Sequence, residues 1–190
     1  MEERKSCQWP GKNKLMKEYH DKEWGIPLHN DGKLFEFLIL DAFQAGLSWE
    51  IILNKREGFK KAFDNFDAKK ISRYTEKDEA RLKEDAGIIR NKLKIKATII
   101  NAQKFLEVQK EFGSFDKYIW QFTENKVIKN RFKYNSELPS KTAESDRMSL
   151  SLKERGFKFV GPTICYAFMQ ASGMVNDHST DCFRYKEVQK

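Results

Sequence analysis

Two of the three histidines and two of the three cysteines in this 190-residue chain stand near its ends. Cys7 and His20 lie near the start; His178 and Cys182, four positions apart in NDHSTDCFRY, lie near the finish. Thiolate sulfur and neutral imidazole nitrogen suit a borderline-soft ion such as zinc, and two of each complete a tetrahedron. Four protein ligands leave no position for water, so such a site would be structural, a clasp tying both ends of the chain to one body. Spacing alone leaves scattered, unrelated roles open, because the two pairs are far apart and the Cys7 to His20 interval is too long for a zinc-finger knuckle.

Three further groups could do chemistry. In ERGFKFVGPTICYAF, residues 154 to 168, one helix ends at Gly156 and another opens at Gly161–Pro162. That is the plan of a helix-hairpin-helix, whose free N–H groups can hold a DNA phosphate without reading a base. Arg155 and Lys158 would add sequence-independent attraction, and Phe157 and Phe159 are expected to be exposed in the turn. The same pattern also fits a simple core turn between helices. Asp41 sits inside the apolar run FEFLILDAFQAGLSW with Phe37, Leu38, Gln44 and Ala45 one helical turn away. A carboxylate there must be paired with a basic side chain, neutralised, or aimed at a cationic or amide-bearing ligand. Finally, Trp9, Tyr19, Trp24 and Trp49 could stack on a nucleobase taken out of a duplex, or could simply pack the core.

The elements that must position these residues read as helices. Apolar residues recur at three and four positions in GKLFEFLILDAFQAG, with Gly46 as the stop, and Ser48 caps a second helix at SWEIIL. DAKKISRY and TEKDEARLKEDAG follow, capped by Asp67 and Thr75, the second stopped by Gly87. A long helix covers residues 88 to 112, either unbroken or with a frayed start, and SFDKYIWQF is capped by Ser114. NKVIKNRFKYNSELPSKT reads as an irregular surface loop. A last pair, ESDRMSLSLKERG and GPTICYAFMQASG, has Pro162 suited to a first helical turn. With no convincing alternating strand pattern, the expected class is all-α.

Length permits one sizeable domain, residues 1 to 190, or one domain made of two lobes sharing a core. Lys and Arg number 36 against 28 Asp and Glu, a formal net charge of +8, which favours a polyanionic partner or else a lysine-rich solvated surface. The N-terminus lacks the apolar core of a signal peptide, and no window approaches the ~18 apolar residues of a membrane span. The expectation is a soluble, cytoplasmic monomer without membrane association, its cysteines serving as thiols or metal ligands.

Taken together, CQW near the start, YHDKEWG, LFEFLILDAFQAGLSW, DAGIIRNKLKI, RGFKFVGPTICYAFMQASGMVNDH and Cys182 resemble the DNA-3-methyladenine glycosylase I family, in family order and over nearly the whole chain. The resemblance implies the helix-hairpin-helix glycosylase fold: a terminal lobe around one structural zinc and a central lobe with the hairpin near residues 145 to 174. It places the zinc ligands at Cys7, His20, His178 and Cys182, leaving Cys165 as a core thiol. It places base contacts at Tyr19 and Trp49, with Trp9 nearby, and DNA contacts at Gly156, Lys158 and Gly161. Its catalytic acidic residue falls on Asp41, where the family usually has Glu, so the carboxylate reaches about 1.5 Å less far. Met16 stands where some members have a second aromatic residue. Asp177 is a further acid that could stabilise an oxocarbenium-like sugar, as an aspartate does in related glycosylases, or could orient an imidazole.

The activity so implied is monofunctional hydrolysis of the N-glycosidic bond of 3-methyladenine in alkylated double-stranded DNA, within base excision repair. Two rivals are a non-catalytic damage-binding module and a hydrolase whose zinc is catalytic.

Overall fold

The computed structural model describes residues 4–188. Their regular secondary structure is helical apart from one two-residue strand pair. α1 (Lys14–Lys22) starts where the Asn13 side chain accepts hydrogen bonds from Leu15 N and Met16 N. α2 (Asp31–Gln44) is buried without interruption from Leu34 to Phe43. A helix apolar on all sides must be covered on all sides. α2 therefore runs through the core, packed by α7 (Lys92–Phe112), α8 (Phe115–Trp120) and α10 (Pro162–Ala171). Ser48 caps α3 (Trp49–Asn54), and α4 (Arg56–Ala62), α5 (Ala68–Ile71) and α6 (Glu76–Glu84) follow, the last two started by Asp67 and a Thr75–Asp78 capping box. α6 ends three residues short of Gly87, and Asn91 rather than the 88–90 segment starts α7, accepting from Lys94 N.

α9 (Ala143–Glu154) and α10 pack on each other through the turn formed by residues 155 to 161. Gly156 has φ +90°, a left-handed conformation that closes α9 while Phe157 N donates back to Leu152 O. Phe157, expected at the surface, is instead 2% exposed and packs on Phe115. An apolar ring of that size is drawn into the core that α7, α8 and α9 build around it. Only Phe159 stays half-buried.

The stretch read as a surface loop is instead tied to the chain's end. β1 (Ile128–Lys129) pairs in parallel with β2 (Val175–Asn176), Ile128 opposite Val175. Beyond it Thr180 N donates to Phe132 O and Tyr185 OH donates to Asn130 O. A two-residue strand carries no periodicity to detect, so its partner, contributed from far along the chain, decides that it forms. α11 (Phe183–Glu187) closes the chain.

One ionic knot binds the N-terminal segment to the body. Arg56, 8% exposed, donates to both carboxylate oxygens of Glu23 at 2.7 Å and to Glu36 Oε1 at 2.7 Å, while Lys33 meets Glu36 at 2.8 Å. Bidentate pairing satisfies the buried guanidinium. It fixes the C-terminal end of α1 against α2 and α4.

Candidate active site and metal centre

The Cys and His residues from the two ends of the chain meet. Cys7 Sγ lies 3.6 Å from His178 Nδ1, Cys182 Sγ lies 3.6 Å from His20 Nε2 and 3.7 Å from His178 Nδ1, and the two ring nitrogens are 3.1 Å apart. All four donor atoms fall within 4.8 Å of one another and all four residues are buried, so the group could hold a metal ion. His178 turns its other nitrogen to Trp24 O at 3.0 Å, and His20 turns its Nδ1 to Asp21 at 2.6 Å. Such outer partners set which nitrogen of each ring faces the centre. The Ser179 backbone N–H donates to Cys7 Sγ. Cys182 is held well below the ordinary thiol pKa, first by its hydrogen bond with Cys7 and then by His178 and His20. Gly25, at φ +76°, is required here, because a Cβ would come 2.8 Å from His178 Nε2.

Directly beside this centre lies a cleft of about 170 Å³. Trp9, Tyr19, Trp24 and Trp49 form its aromatic walls, Asp41 and Gln44 of α2 its base, and Gln170 of α10 with Asn135 and Leu138 of the 130–141 segment its remaining sides. Trp9 meets Trp24 and Tyr19 edge to face, and Tyr19 and Trp49 are tilted against each other. Trp9 is 5.0 Å from Trp24 and 6.3 Å from Tyr19, and Tyr19 is 5.2 Å from Trp49, centroid to centroid. Trp9 also touches the His20 ring at 5.6 Å, and Trp24 touches His178 at 4.7 Å. The metal group and the aromatic cleft therefore share one set of packed rings.

Asp41 is 2% exposed, and its Oδ2 has no hydrogen-bond partner; the buried Nε1 atoms of Trp9 and Trp49 have none either. Among the described residues no basic side chain pairs with Asp41, so the expected alternative of a salt bridge is not realised there. Burial alone pushes its carboxyl well above the usual carboxylate pKa. Burial, with the Asp41 charge second, likewise keeps the Tyr19 phenol neutral. At the end of α2 the ammonium of Lys94 donates to Phe43 O at 2.7 Å and Ala45 O at 2.6 Å, closing carbonyls that a helix end leaves open. That clamp fixes the last turn of the helix that carries Asp41.

Met16 is buried outside the cleft, and Trp24 supplies the wall instead. Gln44 was placed only as a neighbour of Asp41 along the helix, and Asn135, Leu138 and Gln170 carried no signal in the sequence, since residues on helix faces or in loops reveal nothing about a cleft assembled from remote segments. Asp177 orients no imidazole: Trp24 O and Asp21 do so, while Asp177 accepts from Tyr166, Gln170 and Asn130. Gly156, Lys158 and Gly161 lie on the α9–α10 turn, with the Lys158 side chain exposed. Arg155 is engaged elsewhere, paired through two nitrogens with Glu111 at 2.7 and 2.9 Å over the rings of Phe112 and Tyr118. Among the described residues no helix is long and apolar enough to cross a membrane.

Comparison with known proteins places this architecture. The family described as methyladenine glycosylase matches residues 9–185. The "DNA-3-methyladenine glycosylase 1" of Escherichia coli (strain K12) is 45% identical over 94% of this chain and 96% of its own length. A crystal structure of 3-methyladenine DNA glycosylase I superposes with a TM-score of 0.92 at 43% identity, over 94% of this chain and 98% of that one. The Staphylococcus aureus 3-methyladenine DNA glycosylase I, described for the structural basis of its 3-methyladenine recognition, gives 0.91 at 32% identity over 94% and 95%. The chain belongs to the methyladenine glycosylase family.

Proposed function

We propose that this protein is a monofunctional glycosylase that hydrolyses the N-glycosidic bond of 3-methyladenine in alkylated double-stranded DNA. The observation that carries this is the aromatic cleft with an unpartnered, buried Asp41 carboxyl at its base, on the fold of a family whose relatives bear that name. Methylation at N3 makes the base cationic and hence a good leaving group. Rings stacked on a cation and a carboxylate beneath it favour that base over neutral adenine. Water attacks the sugar C1′, the electrons of the breaking C1′–N9 bond return to the base and cancel its charge, and the water proton passes to solvent. No lysine need become covalently attached. On methylated duplex DNA the purified protein is expected to release free 3-methyladenine, identified by chromatography. Binding without release would instead leave a damage-recognition module.

Zinc is the ion that fits the Cys7, His20, His178 and Cys182 set. Tetrahedral Zn–S bonds near 2.3 Å and Zn–N bonds near 2.0–2.1 Å require N···S edges of about 3.6 Å and an N···N edge of about 3.3 Å. The observed edges are 3.6, 3.6 and 3.7 Å for N···S and 3.1 Å for N···N. With four protein ligands the ion would hold Trp9, Tyr19 and Trp24 in place and leave no open position for water. This favours a structural over a catalytic role.

The α9–turn–α10 unit is read as a helix-hairpin-helix that anchors the DNA backbone, with Gly156, Lys158 and Gly161 at the phosphate. Its support lies in how the turn is held. Asn101 of α7, fully buried, donates to Lys158 O at 3.0 Å and accepts from Lys158 N at 2.7 Å, while Ser149 donates to Val160 O at 2.7 Å. These bonds turn the carbonyls of Lys158 and Val160 inward, leaving the following N–H groups to face a phosphate. Asn101→Leu is expected to raise KM for methylated DNA about tenfold, the value of one or two lost hydrogen bonds, with kcat and free-base binding little changed. A fall in kcat alone at constant KM would mean a mere loss of folded protein.

A further inference from the structure

Asp177 is 3% exposed and takes no part in the metal group or in lining the aromatic cleft. Every donor it meets points inward. Oδ1 accepts from Asn130 Nδ2 at 2.6 Å, and Oδ2 accepts from Tyr166 OH at 2.6 Å and Gln170 Nε2 at 2.8 Å. Three donors around one buried carboxylate occupy most of its lone pairs. A group so occupied is poorly placed to meet a developing sugar cation, yet it reaches the cleft indirectly, because Gln170 lines that cleft.

We propose that Gln170 is a specificity-determining residue of the base pocket and that Asp177 is its positioning residue, pinning the amide so that Oε1 is the end offered to the base. This rests on the glycosylase reading above. A glutamine amide is nearly symmetric in shape, and a free one can turn either its N–H or its oxygen toward a ligand. Here it cannot turn. Rotation would set Oε1 against Asp177 Oδ2, two acceptors with no proton between them, inside a site where the loss of a charge-assisted bond is costly. The hydrogen bonds of the described residues leave Oε1 without a protein partner, and it is not sealed from solvent, on a residue that lines the cleft.

A fixed acceptor selects a donor. Adenine carries an amino group on its six-membered ring where guanine carries a carbonyl, so a pinned Oε1 accepts from the first and repels the second. A flipping amide would tolerate both. Asp177 would thus exclude methylated guanine without touching any base.

The test compares 3-methyladenine with 3-methylguanine release from the same methylated DNA. In Asp177→Asn the new side chain can donate as well as accept, Gln170 regains both orientations, and the ratio of the two kcat/KM values is expected to fall at least tenfold. Gln170→Met, which removes the acceptor at similar size on a half-buried side chain, is expected to give the same loss of discrimination whether or not Asp177 is also changed. Equal reduction of both rates at an unchanged ratio, in either variant, overturns the proposal and leaves Asp177 as a structural tie. Absence of 3-methyladenine release by the unaltered protein would instead overturn the glycosylase reading itself.

Discussion

Asp41→Asn is expected to lower excision of 3-methyladenine by about 10- to 100-fold while making the protein more resistant to unfolding at neutral pH. The first effect follows from losing a hydrogen bond to a charged group, roughly 1.5–3 kcal/mol, at the point where a cationic base is held. The second follows from burial. Asp41 is 2% exposed, Oδ2 has no partner, and burial is what raises its carboxyl above the usual range. A raised folded-state pKa means the native protein holds the proton more tightly than the unfolded chain does. Stability from this site is then complete below the unfolded value, near 3.9, and is lost as pH rises through the folded value. Above the unfolded value the wild-type protein loses stability at this site, because burial opposes ionisation there, and asparagine does not. Calorimetry from pH 4 to 8 should find Tm a few degrees higher in the variant at the upper end, with the gap closing toward pH 4. Undiminished excision would remove Asp41 from the pocket, and equal Tm values throughout would mean its charge is compensated.

Removal of the proposed zinc ion is expected to have the largest effect on stability and to abolish excision. Structural zinc contributes about 10–16 kcal/mol of apparent binding free energy in small domains, and most of it is felt as folding. Chelation, or His178→Ala, should lower Tm by at least about 10 °C. The aromatic cleft should be lost with it, because Tyr19 follows directly into His20, Trp9 packs on His20 and Trp24 packs on His178. The central body should survive. Its core rests on α2, α7, α8 and α10, and the Arg56 knot with Glu23 and Glu36 holds α1 without a metal. Far-UV helicity should therefore fall much less than tryptophan fluorescence changes, and added zinc should restore both. Replacement by cobalt(II) should leave kcat unaltered for a structural ion; a kcat that followed the identity of the metal would point to the catalytic-zinc alternative.

Legibility in the sequence followed the range of the interaction. Ser48, Asp67 and Ser114 accept from backbone N–H groups two or three residues on, so these helix starts could be found from short windows. The burial of α2 was equally plain, since eight of the ten residues from Leu34 to Phe43 are apolar. The 125–142 segment failed on the same ground. Its strand partner lies near residue 175, and its own composition gave no sign of one. Phe157 was misplaced because a turn position suggests exposure, whereas its surroundings come from α8.

For the site, residue types carried far. The chemistry of two thiols and two imidazoles, and of a carboxyl inside an apolar helix, is intrinsic to those side chains, so the sequence by itself determined which groups could bind a soft metal and which acid needed a ligand. Its family resemblance added their roles. Tertiary structure alone decided that Asp41 is left unpaired among the basic side chains of the described residues, that Arg155 is already occupied by Glu111, and that Asp177 accepts from Gln170 instead of steadying an imidazole. The reason is geometric: which charge finds which partner depends on a few ångströms between segments remote in the chain, and no local spacing encodes that distance.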